Sequence, residues 1–376
     1  MSLPLVKRCL LAHTLCALAV AGAAQSTPSA ALLVLSKQDH TLAIVDPATL
    51  KAVARVPVGD DPHEVVASAD GRTAYVSNYG FGRFHTLTVV DLDGRKQKDA
   101  IDLDALRGPH GLHFQQGKVW FTAEAAKAIG SYDPGTDKID WIMGTGQSRT
   151  HMIFVFPGAQ KILTTNVSSA TVTILEHTEG PAGMPPNPAS GPPPSAAPPS
   201  GQPQWQGAGV PPPGTPGRPG GPPPGPPGGD WNETVIPVGR GSEGFDVTPD
   251  LKQAWVANAW DGTISVIDID AKKVTATLAA NARGANRLKF TPDGKLALVS
   301  AGPELVIFDV ASQKEVKRLT IGHGSGGVLV QPDGERAYVA CSGDAYVVVV
   351  DMKKLEITGH IEAGGNPDGL AWAVRQ

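Results

Sequence analysis

Short apolar runs recur along the chain at nearly constant spacing, and each run has the length of a β-strand rather than of a helix. Seven four-residue cores align with one another, and their first residues are separated by 42, 45, 43, 92, 43 and 40 positions. The cores are Leu33–Ser36, Tyr75–Asn78, Trp120–Ala123, Leu163–Asn166, Trp255–Asn258, Leu298–Ala301 and Tyr338–Cys341. The sequence shows no helical periodicity, so the pattern predicts an all-β protein built from seven repeats.

An acidic residue ends an apolar, β-rich run once in every repeat, at spacings of 45, 42, 43, 92, 41 and 42 residues. These residues are Asp46, Asp91, Asp133, Glu176, Asp268, Asp309 and Asp351. An Asp at the end of a strand commonly caps the next turn by accepting hydrogen bonds from backbone N–H groups. We therefore interpret the series as structural rather than catalytic.

A repeat of this length holds four short antiparallel strands, which is the size of one propeller blade. The chain begins with the second strand of a repeat, near Leu32, and ends in a first strand at residues 368–374. The sequence therefore predicts a seven-bladed β-propeller in which the N- and C-terminal strands build the last blade together. Such closure removes the open sheet edges that a ring of blades would otherwise expose.

The repeat resembles that of the bacterial YVTN-repeat propellers, and residues 255–268, which read WVANAWDGTISVID, are the closest match. The resemblance covers nearly all of the chain after residue 24, apart from one insert. It implies a seven-bladed fold that is shared with the seven-bladed lactonases. It says little about function, because one fold carries many unrelated activities.

The first 24 residues have the features of a secretory signal peptide. Lys7 and Arg8 precede an uncharged apolar run over residues 9–21, and small residues follow it. The run is shorter than the roughly 20 apolar residues that span a bilayer, and no later segment is long enough either. We predict a periplasmic or secreted protein without a transmembrane segment after cleavage. Cys341 is then the only cysteine, which leaves no intramolecular disulfide.

The single spacing of 92 residues marks an insert. Of the 34 prolines in the chain, 20 lie between Pro181 and Pro227. Proline lacks a backbone donor and glycine raises the cost of ordering, so this stretch is expected to add no strands. The sequence predicts a disordered insert over residues 178–230, which separates the propeller parts 25–177 and 231–376.

The residues at which the chain enters the first strand of each repeat are expected to form a ring around the central channel. The seven equivalent positions are His63, His110, His151, Glu243, Asn286, Gly326 and Asp368. Basic residues lie just upstream of five of these positions, and they are Arg107, Arg149, Arg240, Arg283 and His323. Such a positive collar suits a carboxylate or phosphate ligand.

Beyond the ring, the first strands alternate with a period of two residues. The alternation directs one set of side chains toward the channel. That set includes Glu64, His113, Asp246, Arg287 and Lys289.

Two functions follow directly from the ring residues. In the first, the protein is a scaffold that binds an anionic small molecule or a protein partner at the channel mouth. In the second, His63, His110 and His151 converge on a transition metal, since imidazole suits zinc, copper and nickel. No other cofactor is predicted, because the chain has no Cys-x-x-Cys-His motif for a covalently attached haem.

A third function is a lactonase-like hydrolase, which the shared fold suggests. His151 or Glu243 would act as the general base, and Arg149, Arg240 or Arg283 would hold a carboxylate or an oxyanion. The formal net charge of −4, without any block of like charge, predicts no nucleic-acid partner. We expect a monomer.

Overall fold

The computed structural model describes residues 27–178 and 230–376. These residues form seven antiparallel sheets of four strands each, one of which has an additional short strand. The all-β, seven-bladed prediction is therefore confirmed. The predicted signal peptide, residues 1–24, and nearly all of the predicted insert lie outside the described residues.

The blades are numbered 1 to 7 from the first complete sheet, and blade 7 contains both ends of the chain. The innermost strands of blades 1 to 7 are β4 (Pro62–Ala67), β9 (Pro109–Gln115), β13 (Thr150–Val155), β17 (Ser242–Val247), β21 (Ala285–Phe290), β25 (Ser325–Val330) and β29 (Pro367–Val374). The second strands are β5 (Thr73–Asn78), β10 (Lys118–Ala123), β14 (Lys161–Asn166), β18 (Gln253–Asn258), β22 (Leu296–Ala301), β26 (Arg336–Cys341) and β1 (Ala30–Ser36).

The third strands, in the same blade order, are β6 (Thr86–Asp91), β11 (Ala128–Asp133), β15 (Thr171–Thr178), β19 (Thr263–Asp268), β23 (Glu304–Asp309), β27 (Tyr346–Asp351) and β2 (Thr41–Asp46). The outermost strands are β7 (Lys96–Gln97) with β8 (Ile101–Asp102), then β12 (Lys138–Gly144), β16 (Asp230–Pro237), β20 (Lys273–Leu278), β24 (Lys314–Thr320), β28 (Glu356–Ile361) and β3 (Lys51–Pro57). One 3₁₀ turn, Gly80–Gly82, lies between β5 and β6.

The burial of each strand explains the pattern seen in the sequence. The second and third strands lie between neighbouring blades, so both of their faces are covered and their cores are continuous apolar runs. The outermost strands face solvent on one side, and β20 alternates between exposed and partly buried residues. The hydrophobic core is thus a set of layers between blades. Trp255, for example, is fully buried between the rings of Phe290 and Phe308 in blade 5.

Blade 7 closes the ring as predicted. Its innermost strand, β29, pairs with β1, so that Leu32 lies opposite Trp372 and Leu33 opposite Ala371. The same strand packs against β4 of blade 1 and β25 of blade 6. The two ends of the chain therefore complete one sheet.

The acidic residues at the ends of the third strands cap turns. Asp46 accepts a hydrogen bond from the backbone N–H of Ala48 at 2.9 Å, and Asp309 accepts one from Ser312 at 2.8 Å. Glu176 is the exception, because it forms an ion pair with Lys161 at 3.0 Å instead. The structural interpretation of the series is therefore confirmed for the aspartates.

The insert leaves the propeller between the third and fourth strands of blade 3. Thr178 pairs with Asp230, so each strand reaches one residue into the predicted insert. Within the described ranges there is no helix with the length and hydropathy that a membrane span requires.

Candidate functional site

Each of the seven ring positions is the second residue of an innermost strand, so the ring exists as a geometric feature. All innermost strands begin at the same face of the propeller, which we call the ring face. The residues there are His63, His110, His151, Glu243, Asn286, Gly326 and Asp368.

The hydroxyl groups of the repeat fix the backbone of the ring. Ser77 Oγ accepts a hydrogen bond from the N–H of Glu64 at 3.0 Å and donates to the carbonyl of His110 at 2.8 Å. It therefore links the ring residue of one blade to that of the next. Equivalent hydroxyl donors to ring carbonyls are Thr122, Thr165 and Ser300.

Glycines allow the blades to approach closely next to the ring. The residue after the ring position is glycine in four blades: Gly111, Gly244, Gly327 and Gly369. A Cβ atom at any of them would lie less than 3.0 Å from the carbonyl oxygen of the ring residue in the next blade. In the other three blades this position carries Glu64, Met152 and Arg287, whose side chains line the channel.

Replacement of Gly244 by alanine is expected to destabilise the protein. The added methyl group would meet the carbonyl oxygen of Asn286, and such overpacking costs about 1–3 kcal/mol. Gly144 is the matched control, because a Cβ atom there would have no neighbour within 4 Å. Urea unfolding should show a lower midpoint for Gly244→Ala and an unchanged one for Gly144→Ala. Equal midpoints would contradict the proposed close approach.

Three ring imidazoles stack at the ring face. The ring centroids of His63 and His110 are 4.8 Å apart, and those of His110 and His151 are 3.8 Å apart. Tyr79 packs edge-on against His63 and His110. His110 and His151 are only 2% and 3% exposed, so both rings are buried at this face.

His151 is held between two carboxylates. Its Nδ1 bonds to Glu124, and its Nε2 is 2.8 Å from Glu243 Oε2, at an angle outside normal hydrogen-bond geometry. Burial lowers the pKa of His151, but the charges and bonds of Glu243 and Glu124 outweigh burial and raise it. Burial likewise raises the pKa of Glu243, yet His151, Arg287 and Arg149 lower it to about 2. The group is thus an imidazolium with two ionised carboxylates.

Two further groups complete this cluster. The Tyr79 hydroxyl donates to Glu124 Oε2 at 2.5 Å. Arg149 lies 3.5 Å from Glu124 and 3.8 Å from Glu243. Because buried charges need partners, this mutual pairing is what allows the cluster to be buried.

A second group of charges surrounds His63. Lys37 Nζ is 2.7 Å from His63 Nε2, 3.3 Å from Asp368 and 3.6 Å from Asp61. Burial raises the pKa of Asp61, but the bond and charge of His63 and the charge of Lys37 bring it down to about 2. Acidic and basic groups are therefore matched on this side as well.

The imidazoles do not fit a transition metal. Among the described residues, no group of three or more His, Cys, Asp or Glu side chains is arranged to hold a metal ion. His63 nitrogens face Lys37, Asp61 and Asp368, and His151 nitrogens face carboxylates. His110 Nδ1 is buried without a hydrogen-bond partner among the described residues. The three rings lie against one another, and this arrangement gives no support to the metal site expected from His63, His110 and His151.

The arginines upstream of the ring do not form a free positive collar. Arg240 bonds to Asp261 at 2.8 Å, and Arg149 faces Glu124 and Glu243. Arg107 is exposed and donates to a backbone carbonyl, and Arg283 is exposed at the edge of blade 5. Carboxylates therefore pair with Arg149 and Arg240, whereas Arg107 and Arg283 stay exposed.

Three residues of the two charged groups lie between strands, namely Lys37, Tyr79 and Glu124, and the sequence analysis missed Lys37 and Glu124. Each directly follows the four-residue core of a second strand, in blades 7, 1 and 2. A second strand ends at the face where the innermost strand begins, so this position also belongs to the ring face. The polar side chains at this position in three consecutive blades are the feature of the sequence that could have identified these residues.

Below the ring, an ion pair crosses the channel. Arg287 of blade 5 reaches Glu64 of blade 1, with its Nε 3.0 Å from Glu64 Oε1. The Arg287 guanidinium also donates to Asn286 Oδ1 at 2.9 Å. Burial lowers the pKa of Arg287, but Glu64 and Asp368 raise it overall, so the group stays charged.

A cavity of about 390 Å³ begins at this ion pair and extends along the channel away from the ring face. All seven innermost strands contribute to its wall, including Glu64, Leu112, His113, Phe114, Met152, Phe154, Phe245, Asp246, Arg287, Lys289, Leu329, Leu370 and Trp372. The five polar residues that strand alternation directed toward the channel are all in the wall.

The polar groups of the cavity are specifically held. His113 Nδ1 accepts the backbone N–H of Val155 at 2.7 Å, and its ring stacks on Phe154. Burial, aided by the charge of Lys289, lowers the pKa of His113 to about 4. The ring is therefore neutral and carries its proton on Nε2. Asp246 accepts the N–H of the residue after Lys289 at 3.0 Å and lies 3.5 Å from Lys289 Nζ.

No protein-family model matches the chain, and no curated protein matches it by sequence. Solved structures are similar in fold. A putative 6-phosphogluconolactonase from Bacteroides uniformis has a TM-score of 0.67 at 14% identity, over 92% of this chain and 99% of that one. A functionally unknown protein from Desulfotomaculum acetoxidans has a TM-score of 0.66 at 12% identity, over 92% and 99%.

Hydrazine synthase from Kuenenia stuttgartiensis is also similar, with a TM-score of 0.63 at 16% identity over 85% of this chain and 92% of that one. At such low identities these similarities bear on the fold and not on the activity. Together with the seven four-stranded sheets, they show that the chain is a seven-bladed β-propeller.

Proposed function

We propose that the protein is a binding protein that takes a small amphipathic molecule with an anionic group into its channel cavity. The sequence predicted such a ligand at the channel mouth, whereas His110 and His151 are buried there. The observation that supports the cavity is its wall, which all seven innermost strands build from apolar side chains and a few convergent polar groups.

Unused hydrogen-bond donors in the cavity wall favour a ligand that accepts hydrogen bonds. A Lys ammonium has three N–H donors, and Lys289 has one bond, at 3.5 Å, among the described residues. His113 Nε2–H faces the cavity without a hydrogen-bond partner in the same part of the chain. Both Asp246 oxygens are already engaged. A carboxylate of the ligand would satisfy the free donors.

The remaining wall is suited to an apolar body. Phe114, Phe154, Leu370 and Trp372 contribute aromatic and aliphatic surface. Burial of such surface supplies about 25 cal/mol per Å² of apolar area removed from water. A flat ring or a short chain would fill the space between these side chains, with its anionic end near Lys289.

A direct test is calorimetric titration with 1-naphthoate, 1-naphthalenemethanol and 1-naphthylmethylamine as anionic, neutral and cationic probes. We expect saturable binding that is tightest for naphthoate. Lys289→Met should weaken naphthoate about tenfold, since a charge-assisted hydrogen bond contributes about 1.5–3 kcal/mol. Lys314→Met, on the outermost strand of the same blade, is the matched control and should bind as the parent does. Equal naphthoate affinities of the Lys289→Met and Lys314→Met variants would show that the ligand does not bind in the cavity.

The hydrolase alternative has no comparable support. It rests on the fold shared with proteins named putative 6-phosphogluconolactonase. A general base must reach its substrate, and His151 is buried and ion-paired with Glu124 and Glu243. We therefore assign no catalytic role to His151 or Glu243.

We also propose that the repeats are of the YVTN type and that the protein acts in the periplasm or outside the cell. The repeat assignment is supported by the hydrogen bonds that the last two residues of the four-residue core form in blade 3. Thr165 donates to the ring carbonyl of Glu243 at 2.8 Å, and Asn166 donates to Thr173 at 2.9 Å. The location rests on the signal peptide that the sequence predicts for residues 1–24.

A further inference from the structure

Two tryptophan rings lie side by side on the rim of the propeller. Trp141 belongs to the outermost strand of blade 2, and Trp231 to that of blade 3. Their ring centroids are 5.2 Å apart with an angle of 50° between the planes. Both side chains are partly exposed, and Trp141 rests on the buried ring of Trp120. The two rings therefore form a rigid, V-shaped aromatic surface, which we call the tryptophan pair.

The indole N–H groups of this pair are available to a ligand. Trp120 Nε1 donates to the carbonyl of Gln115 at 3.1 Å, and Trp255 Nε1 donates to Gln253 at 3.1 Å. By contrast, neither Trp141 Nε1 nor Trp231 Nε1 donates a hydrogen bond within residues 27–178 and 230–376. Since an indole N–H normally finds a partner, the pair offers two donors beside two apolar faces.

The insert begins and ends beside this surface. Thr178 and Asp230 pair with each other at the end of blade 3, and Asp230 directly precedes Trp231. Residues 179–229 contain 20 prolines, with triple-proline runs at 192–194, 211–213 and 222–224. Glu179 and Arg218 are the only charged residues of the segment. A long proline-rich segment is thus tethered at both ends next to two partly exposed tryptophans.

We propose that the proline-rich segment 181–227 docks on the tryptophan pair of its own chain. Extended proline runs bind grooves lined by aromatic rings, because they lose little entropy on binding and present carbonyls to side-chain donors. Proline rings would pack on the two indoles, and proline carbonyls would accept from Trp141 Nε1 and Trp231 Nε1. The tether supplies an effective concentration in the millimolar range, so that even a weak contact is populated. With Arg218 as the single charged residue between residues 181 and 227, the contact should depend only weakly on salt.

The test follows the indole N–H signals of the seven tryptophans by ¹⁵N NMR in the mature protein. We compare the parent with a variant in which a short Gly-Ser linker replaces residues 181–229. The signals of Trp141 and Trp231 should shift between the two proteins, whereas that of the buried Trp255 should not. A synthetic peptide of residues 181–227, added to the linker variant, should restore the parental positions in a saturable manner.

Two variants control for the chemistry. Replacement of the nine prolines of the three runs by alanine keeps the length of the segment and should reproduce the spectrum of the linker variant. Trp141→Leu in the linker variant should weaken the peptide at least about tenfold, since tryptophan anchors commonly dominate the binding energy of an interface. Trp260→Leu, an exposed tryptophan at the ring face, should leave peptide affinity unchanged. Identical Trp141 and Trp231 signals with and without the segment would overturn the proposal and leave the surface to another partner.

Discussion

Removal of residues 369–376 is expected to unfold the protein rather than merely shorten it. These residues form most of β29, the innermost strand of blade 7, and contribute Ala371 and Ala373 to the core, with Leu370 and Trp372 packed against it. Without them β1 loses one of its two neighbours, and β4 and β25 lose the strand between them. Burial of each large apolar side chain is worth about 1.5–3 kcal/mol, and the loss of the whole strand approaches the 5–15 kcal/mol stability of a typical protein.

Circular dichroism during heating is the measurement, and the expected result is loss of the cooperative transition. The matched control removes only Arg375 and Gln376, which follow the strand, and should shift the midpoint slightly because the Arg375 contact with Asp93 is lost. A peptide of residues 367–376 should partly restore the transition of the longer deletion. Retention of a cooperative transition at the parental temperature would show that β29 does not hold the ring closed.

Replacement of His151 by alanine is expected to cost about 3–5 kcal/mol, the usual effect of removing one member of a buried ion pair. Glu124 and Glu243 would then face each other, with only Arg149 between them and at distances of 3.5 and 3.8 Å. His323→Ala is the matched control, because His323 pairs with Asp344 but its side chain is 83% exposed. Exposed pairs contribute between 0 and about 1 kcal/mol. Urea unfolding of both variants at pH 6 gives the comparison.

The pH dependence has a defined sign. The pKa of His151 is raised above its ordinary 6.5, so its stabilisation is complete below pH 6.5 and is lost as the pH rises through the folded-state value. The difference in unfolding free energy between the parent and His151→Ala should therefore shrink as the solution becomes alkaline. A difference that grows with pH would mean that His151 is buried as the neutral imidazole.

The contribution of His110 to stability depends on pH with the opposite sign. Burial, together with the charges of His151 and His63, lowers its pKa well below 6.5. Its contribution is present above pH 6.5 and is lost as the pH falls. Glu243, with a pKa lowered to about 2 from 4.5, also loses its contribution in acid. The stability of the ring face should accordingly be greatest near neutral pH.

The sequence predicted the fold because the fold is repetitive. Seven aligned cores locate the second strand of every blade, and the order of strands at the two ends implies the closure seen between β1 and β29. The ring positions also follow from alignment, since position two of an innermost strand is the same place in each blade. Alternation then identified Glu64 and Arg287 as channel residues.

The burial and charge pairing of the ring residues could not be derived in the same way. They depend on how far side chains reach and on which charges meet, and neither is a property of a repeat. Glu124 and Lys37 lie in turns rather than in first strands, so an alignment of first strands alone omits the charges that neutralise His151 and Asp61. The arginines upstream of the ring therefore predicted a positive channel mouth, whereas in the structure Arg149 and Arg240 are paired with carboxylates.

The glycines beside the ring limit how this propeller can be engineered. Four of the seven positions in that layer cannot accept a side chain, because the neighbouring carbonyl occupies the space. In that layer, only residues 64, 152 and 287 can be varied to widen, narrow or recharge the channel. A design that needs a pore through the molecule would begin by replacing Glu64 and Arg287 together, so that neither charge is left alone in the interior.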